Sequence, residues 1–124
     1  MMWLFVACGG ALGAVARYGV SHWLAVPAKV FPWSTLAVNV IGSLLMGVFY
    51  VLIVEKYYLS PQWRPFIMVG FFGAFTTYST FALEAFLLWQ QGQTTHALIY
   101  SALSLAGGIL PVALGIWLTT KIVN

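Results

Sequence analysis

Residues 70–86 read GFFGAFTTYSTFALEAF, and the fold turns on what this stretch can be. It lies in a long apolar region, yet Thr76, Thr77, Ser79 and Thr80 are crowded together in it. Phe75, Tyr78 and Phe81 sit among them, Gly70 and Gly73 precede them, and Glu84 follows. In hydrocarbon such polar groups must face protein or a water-filled path. Thr76 to Ser79 also have poor or middling helix propensity. The stretch is therefore expected to cross a membrane, to break as a helix and to line a path for a small ion.

Composition supports the membrane. Of 124 residues, 62% are hydrophobic and 6% charged, against about 25% charged in a soluble domain. The chain is expected to be a single all-α transmembrane domain over residues 1–124. A spanning helix needs about 20 apolar residues, and the segments at about 2–25, 33–54, 65–89 and 95–120 qualify. Pro27 to Pro32, Glu55 to Pro65 and Gln90 to Gln93 separate them, leaving no room for a soluble domain. An even number of spans puts both termini on one side. The opening MMWLFVACGG has no Lys or Arg before its apolar run and no clear small-x-small cleavage site, so it reads as the start of the first span.

The net charge is +3, spread over Arg17, Lys29, Lys56, Arg64 and Lys121, with no block to grip nucleic acid. Lys and Arg set membrane orientation. One side receives Lys56, Arg64 and Lys121; the other receives Lys29, and Arg17 if it snorkels. So small a bias allows insertion both ways, and two opposite copies would then pair about a two-fold axis in the membrane plane. Cys8 is the single cysteine, so no internal disulfide or cysteine metal site is expected. There is no Walker loop, no metal-binding His or Cys pair, and no nucleophile with a base. An enzyme is not expected. A channel, a small transporter and a membrane assembly subunit remain.

Several side chains stand out within the spans. Gly9 and Gly13 form a small-xxx-small stripe suited to close helix packing. Arg17 on the same helix either snorkels to the edge or projects into a polar vestibule and attracts anions. In the second span Thr35, Asn39 and Gly42 or Ser43 recur at helical spacing. The Asn39 amide either glues helices together or donates N–H to a permeating anion. Phe75, Tyr78 and Phe81 form one stripe of the third span, beside Thr77, Thr80 and Glu84. Glu84 is a counterion of Arg17, a proton carrier or a vestibule residue. In the fourth span Tyr100 and Ser104 share a face, Ser101 borders it, and Pro111 removes a helix bond. His22 and His96 lie near span ends as interfacial side chains. Asn39, Ser43, Thr77, Thr80, Tyr100 and Ser104 are mostly donors or amphoteric. An anion needs donors in place of its hydration water, and aromatic edges add partial positive charge. Fluoride fits best on size, although the same groups also suit water or a polar solute.

The segments GGALGAVARY (9–18), STLAVNVIGS (34–43) and GFFGAFTTYSTF (70–81) resemble, in order and separation, the Fluc/CrcB family of fluoride channels. The resemblance covers nearly the whole chain. It implies a four-helix protein with a broken third helix, assembled as an antiparallel, dual-topology homodimer with two pores and one central structural sodium. It also implies a multi-pass protein of the bacterial inner membrane, passively exporting fluoride from the cytoplasm and so lowering its toxicity. By motif position, Gly73 and Thr76 would give backbone carbonyls to sodium. Asn39, Tyr78, Thr80, Phe81, Tyr100 and Ser104 would form the fluoride pathway, with Arg17 and Glu84 at the vestibule. The implied partners are fluoride, membrane lipid and a second copy of the chain. Two departures are visible: Tyr78 stands where the family usually has phenylalanine, and Gly108 lacks a hydroxyl that some members carry. The alternative, a proton-coupled exporter of the small multidrug-resistance type, centres on a glutamate in the first helix. Here that helix holds Arg17 and no carboxylate.

Overall fold

Lipid offers backbone groups no hydrogen bonds, so a spanning segment must satisfy its own, and helices do this within one segment. The computed structural model describes residues 1–24 and 31–124. Helix α1 is Met2–Trp23. Helix α2 is Trp33–Phe49 and continues as a π-helix over Tyr50–Glu55. A 3-10 turn, Pro61–Trp63, starts at Ser60, whose hydroxyl accepts from the Gln62 N–H. Wider π-helical turns cover Pro65–Phe72 and pass into one α-helical turn, α3, Gly73–Phe75. Helix α4 is Tyr78–Gln90. Helix α5, Thr94–Val123, runs unbroken through Pro111. The expected end of the first span at Ala25, Lys29, and most of the Pro27 to Pro32 link lie outside the described residues.

Among the described residues, 4 helical stretches are long and apolar enough to cross a membrane: Met2–Trp23, Trp33–Glu55, Pro61–Gln90 and Thr94–Val123. The chain is thus an all-helical, multi-pass membrane protein. Between the third and fourth stretches, Gly92 takes φ 81°, a left-handed conformation that costs glycine little. It closes the end of α4, with the Gln91 and Gly92 N–H groups reaching the Leu87 and Trp89 carbonyls.

The third span changes partners along its length. Its first part, Pro65–Phe75, packs on α1, where the backbones touch: Gly9 lies against the Phe66 carbonyl and Gly13 against that of Phe71. A methyl group at either glycine would overlap those backbone atoms, which is the close approach that small residues permit. Phe72 and Phe75 are buried there with Val38 of α2. The second part, α4, packs on α5 instead, where Leu88, Ala97 and Tyr100 are buried together with Phe81 and Ala85 against them. Helix α2 packs extensively on α5 and also reaches both parts of the third span. The hand-over between the two clusters falls at Thr76 and Thr77.

Candidate functional site: an extended break beside a mixed cavity

The helical conformation stops after Phe75. Thr76 has φ −83° and ψ 158°, and Thr77 has φ −151° and ψ 120°, both extended. An interruption of this kind strands carbonyls and N–H groups that an intact helix would pair, and several are taken up by side chains. The Thr77 N–H donates to Asn39 Oδ1 at 2.7 Å, and the Thr77 carbonyl accepts from Asn39 Nδ2 at 3.0 Å. Thr77 also caps α4, its hydroxyl oxygen accepting from the Thr80 N–H at 3.3 Å, as threonine does at helix starts. The Thr77 hydroxyl donates in turn to Thr80 Oγ1 at 3.1 Å. The Thr76 N–H and hydroxyl both donate back to the Phe72 carbonyl, at 3.1 and 2.9 Å. Arg17 Nε donates to the Ala74 carbonyl at 3.0 Å. Among the described residues, no loop amide and no side chain donates to the carbonyls of Gly73 or Thr76.

A cavity of about 740 Å³ opens beside the interruption. Asn39 and Ser43 border it from α2, Thr76, Thr77, Tyr78 and Phe81 from the third span, and Ser101, Ser104 and Gly108 from α5. Leu105, Ile109 and Val112 complete an apolar wall. The Ser104 hydroxyl is buried and has no hydrogen-bond partner among the described residues. Buried hydroxyls are nearly always paired, so this one has its bonding capacity unused beside the cavity. Tyr78 is 81% exposed in the single chain, which leaves most of its ring for something else to cover. Its ring lies 5.9 Å from that of Phe81, and Phe81 meets Tyr100 edge-on at 5.2 Å.

Glu84 stands behind this ring pair, not against Arg17. Its Oε1 accepts from the Thr35 hydroxyl at 2.5 Å and from the Tyr100 hydroxyl at 3.4 Å. Tyr100 is completely buried and Thr35 nearly so. The structure therefore brings Asn39, Thr76, Tyr78, Phe81 and Ser104 to one cavity. It places Thr80 at the cap of α4, Tyr100 and Glu84 in an adjoining hydroxyl–carboxyl cluster, and Arg17 and Gly73 at the helix interruption. Ser43, counted from sequence among the donors, borders the cavity as well, while Thr35 and Ser101 join the polar surroundings without having been assigned a role from sequence. Thr35 and Ser43 lie four positions either side of Asn39, the spacing that stacks side chains on one helix face. Ser101 donates to the Ala97 carbonyl of its own helix at 2.8 Å.

The chemistry available is hydrogen-bond donation by hydroxyls and an amide, next to aromatic rings. Among the described residues no group of three or more His, Cys, Asp or Glu side chains could hold a metal ion. A cation here would find backbone carbonyl oxygens instead, which suit hard ions such as sodium.

Four spans and a cavity bordered by hydroxyls, an amide and aromatic rings, beside the extended backbone at Thr76 and Thr77, define a class, small multi-pass membrane proteins. More narrowly, the chain belongs to the family described as CrcB-like protein, Camphor Resistance (CrcB), which matches residues 4–116. It is 54% identical over 124 residues to the Fluoride-specific ion channel FluC of Saccharophagus degradans, covering 99% of this chain and 92% of that one. It is 48% identical over 120 residues to the protein of the same name from Hahella chejuensis, covering 96% and 94%. A third relative of that name, from Aeromonas salmonicida, is 42% identical over 120 residues, covering 96% of each. By name these relatives are ion channels and not enzymes.

Proposed function

We propose that this protein is a fluoride-selective channel that lets fluoride leave the cytoplasm passively across a bacterial inner membrane. One observation carries the reading. The Asn39 amide, the Ser104 hydroxyl, which has no partner among the described residues, and the rings of Tyr78 and Phe81 border a single cavity in a chain about half identical to named fluoride channels. A small anion exchanges its hydration water for such donors. Tyr100 and Thr80 extend the track, since the Tyr100 ring meets Phe81 and Thr80 is tied to Thr77. Arg17 and Glu84 flank it as vestibule residues. Its place among channels makes the chain a transport protein and not an enzyme. Proton-coupled export is not favoured, because α1 holds no carboxylate.

The working unit in this reading is an antiparallel, dual-topology homodimer, with the interruption at Thr76 and Thr77 lying mid-membrane. The largely exposed Tyr78 ring suits a surface that a second copy covers. The carbonyls of Gly73 and Thr76, which no loop amide or side chain among the described residues takes, fit a structural sodium ion. Bound there, sodium would neutralise partial negative charge and hold the crossing segments together.

A fluoride-electrode efflux assay from proteoliposomes under a potassium gradient, with and without valinomycin, tests the reading. Efflux that needs valinomycin, excludes chloride and ignores a pH gradient is expected. Purified, folded protein that passes no fluoride would sink it, and efflux only with a proton gradient would point to exchange.

A further inference from the structure

The bond from Arg17 to Ala74 joins residues 57 positions apart and meets a specific need. In an intact α-helix the Ala74 carbonyl accepts from the N–H four residues on, at Tyr78. With Thr76 and Thr77 extended, that donor is lost, and a carbonyl left unbonded away from water is costly. Arg17 lies one turn after Gly13, whose backbone contact with Phe71 sets α1 against the segment leading to Ala74. Asn39 of α2 performs the matching service on the other side of the interruption, at Thr77.

We infer that Arg17 is a positioning residue. Its Nε–H replaces the missing helix donor at Ala74 and holds residues 73–77 in their interrupted conformation. Arg17 and Asn39 thus pin the two sides of the interruption from two different helices, and among the described residues no loop amide or side chain donates to the nearby Gly73 and Thr76 carbonyls. This role depends on a donor at the Nε position, not on the positive charge. It does not rest on fluoride being the permeant ion.

Three substitutions separate donor from charge. Arg17→Gln places an amide nitrogen at the position of Nε without charge. Arg17→Lys keeps the charge but carries its nitrogen one atom further out. Arg17→Met has similar bulk and no donor. Amide hydrogen exchange across residues 70–81, followed by mass spectrometry in detergent, reads the interruption directly. Exchange in the Met and Lys variants is expected to be about ten-fold faster than in wild type, and in the Gln variant to stay within about three-fold. A Lys variant as slow as wild type beside a fast Gln variant would overturn the inference in favour of a charge role. A Met variant indistinguishable from wild type would overturn it outright. If the Met variant does not fold, the Gln–Lys pair decides: Gln slower than Lys supports the clamp, and equality or the reverse refutes it. Fluoride flux, which does rest on the channel reading, is expected to be higher for Gln than for Lys. Exchange is read whatever permeates, so failure of the fluoride reading leaves this result standing.

Discussion

Asn39 and the Thr77 backbone bond each other twice, Oδ1 accepting from the N–H at 2.7 Å and Nδ2 donating to the carbonyl at 3.0 Å. One orientation of the amide satisfies both bonds; the flipped one would set oxygen against oxygen and nitrogen against N–H. The second hydrogen on Nδ2 is not used by this pair, and Asn39 borders the cavity. A single side chain can therefore tie α2 to the interrupted span and still offer a donor to an ion, so the two roles weighed for it from sequence do not compete.

Asn39→Ala is expected to strand both Thr77 backbone groups, at about 1–3 kcal/mol for each group left buried and unpaired. Asn39→Asp keeps the acceptor but loses the donor, placing an oxygen opposite the Thr77 carbonyl. Both variants should melt at lower temperature in detergent and pass little fluoride. Unchanged melting in both would contradict the clamp.

Ser104 makes the opposite case. Its hydroxyl has no partner to lose among the described residues, so Ser104→Ala should leave thermal unfolding within about 0.5 kcal/mol of wild type. Fluoride efflux should nevertheless fall several-fold, because a donor beside the cavity disappears. A variant that loses stability but keeps full flux would assign Ser104 to packing.

The contact of α1 with the third span predicts a contrast between glycines. Gly13→Ala would drive a methyl group into the Phe71 backbone, whereas among the described residues nothing lies within 4 Å of a methyl at Gly19. Overpacking of this kind costs about 1–3 kcal/mol, while Gly19→Ala should gain up to about 1 kcal/mol from helix propensity. Denaturant unfolding of the two variants measures the difference. Equal stability would mean that the backbones do not approach there.

Thr35→Val keeps the side-chain shape and removes the hydroxyl that donates to Glu84. Among the described residues Glu84 then retains the longer bond from Tyr100, at 3.4 Å. A loss of about 1 kcal/mol is expected, with reduced flux as the Tyr100 ring beside Phe81 loosens. Thr35→Ser restores the donor and should recover most of both losses.

Replacing sodium with a large organic cation during purification and assay should reduce fluoride flux and weaken dimer association, since the Gly73 and Thr76 carbonyls are proposed to hold the ion. Flux and oligomeric state identical in the two media would remove sodium from the reading.

The membrane class was open to the sequence because it depends on composition and run length: charges at 6% and apolar segments of spanning length allow no soluble fold. The weakness of helix at Thr76 and Thr77 was also a local matter, carried by residues of poor propensity after glycines, and the backbone there is extended. Periodicity likewise put Asn39 and Ser43 on one face of α2 and Tyr78 and Phe81 near each other. What it could not supply was which helix each face meets. Arg17 and Glu84 were possible partners as the charges of neighbouring spans, yet one bonds a carbonyl and the other two hydroxyls. Pro111, read from the sequence as removing a helix bond, sits in a helix that continues through it.

Within a span, spacing along one helix decides which side chains share a face, and the sequence by itself determines that. Across spans, rotation and depth decide the partners, and they follow from backbone contacts such as those of Gly9 and Gly13 with residues 66 and 71. Residues 70–86 were thus legible as a polar, interruptible crossing segment. Only the tertiary structure decided that its first part leans on α1, that its second part leans on α5, and that Arg17 bonds the Ala74 carbonyl and Asn39 the Thr77 backbone. The physical reason is that an orphaned carbonyl or N–H in lipid takes the nearest donor or acceptor, and nearness between helices is not written in any single one of them.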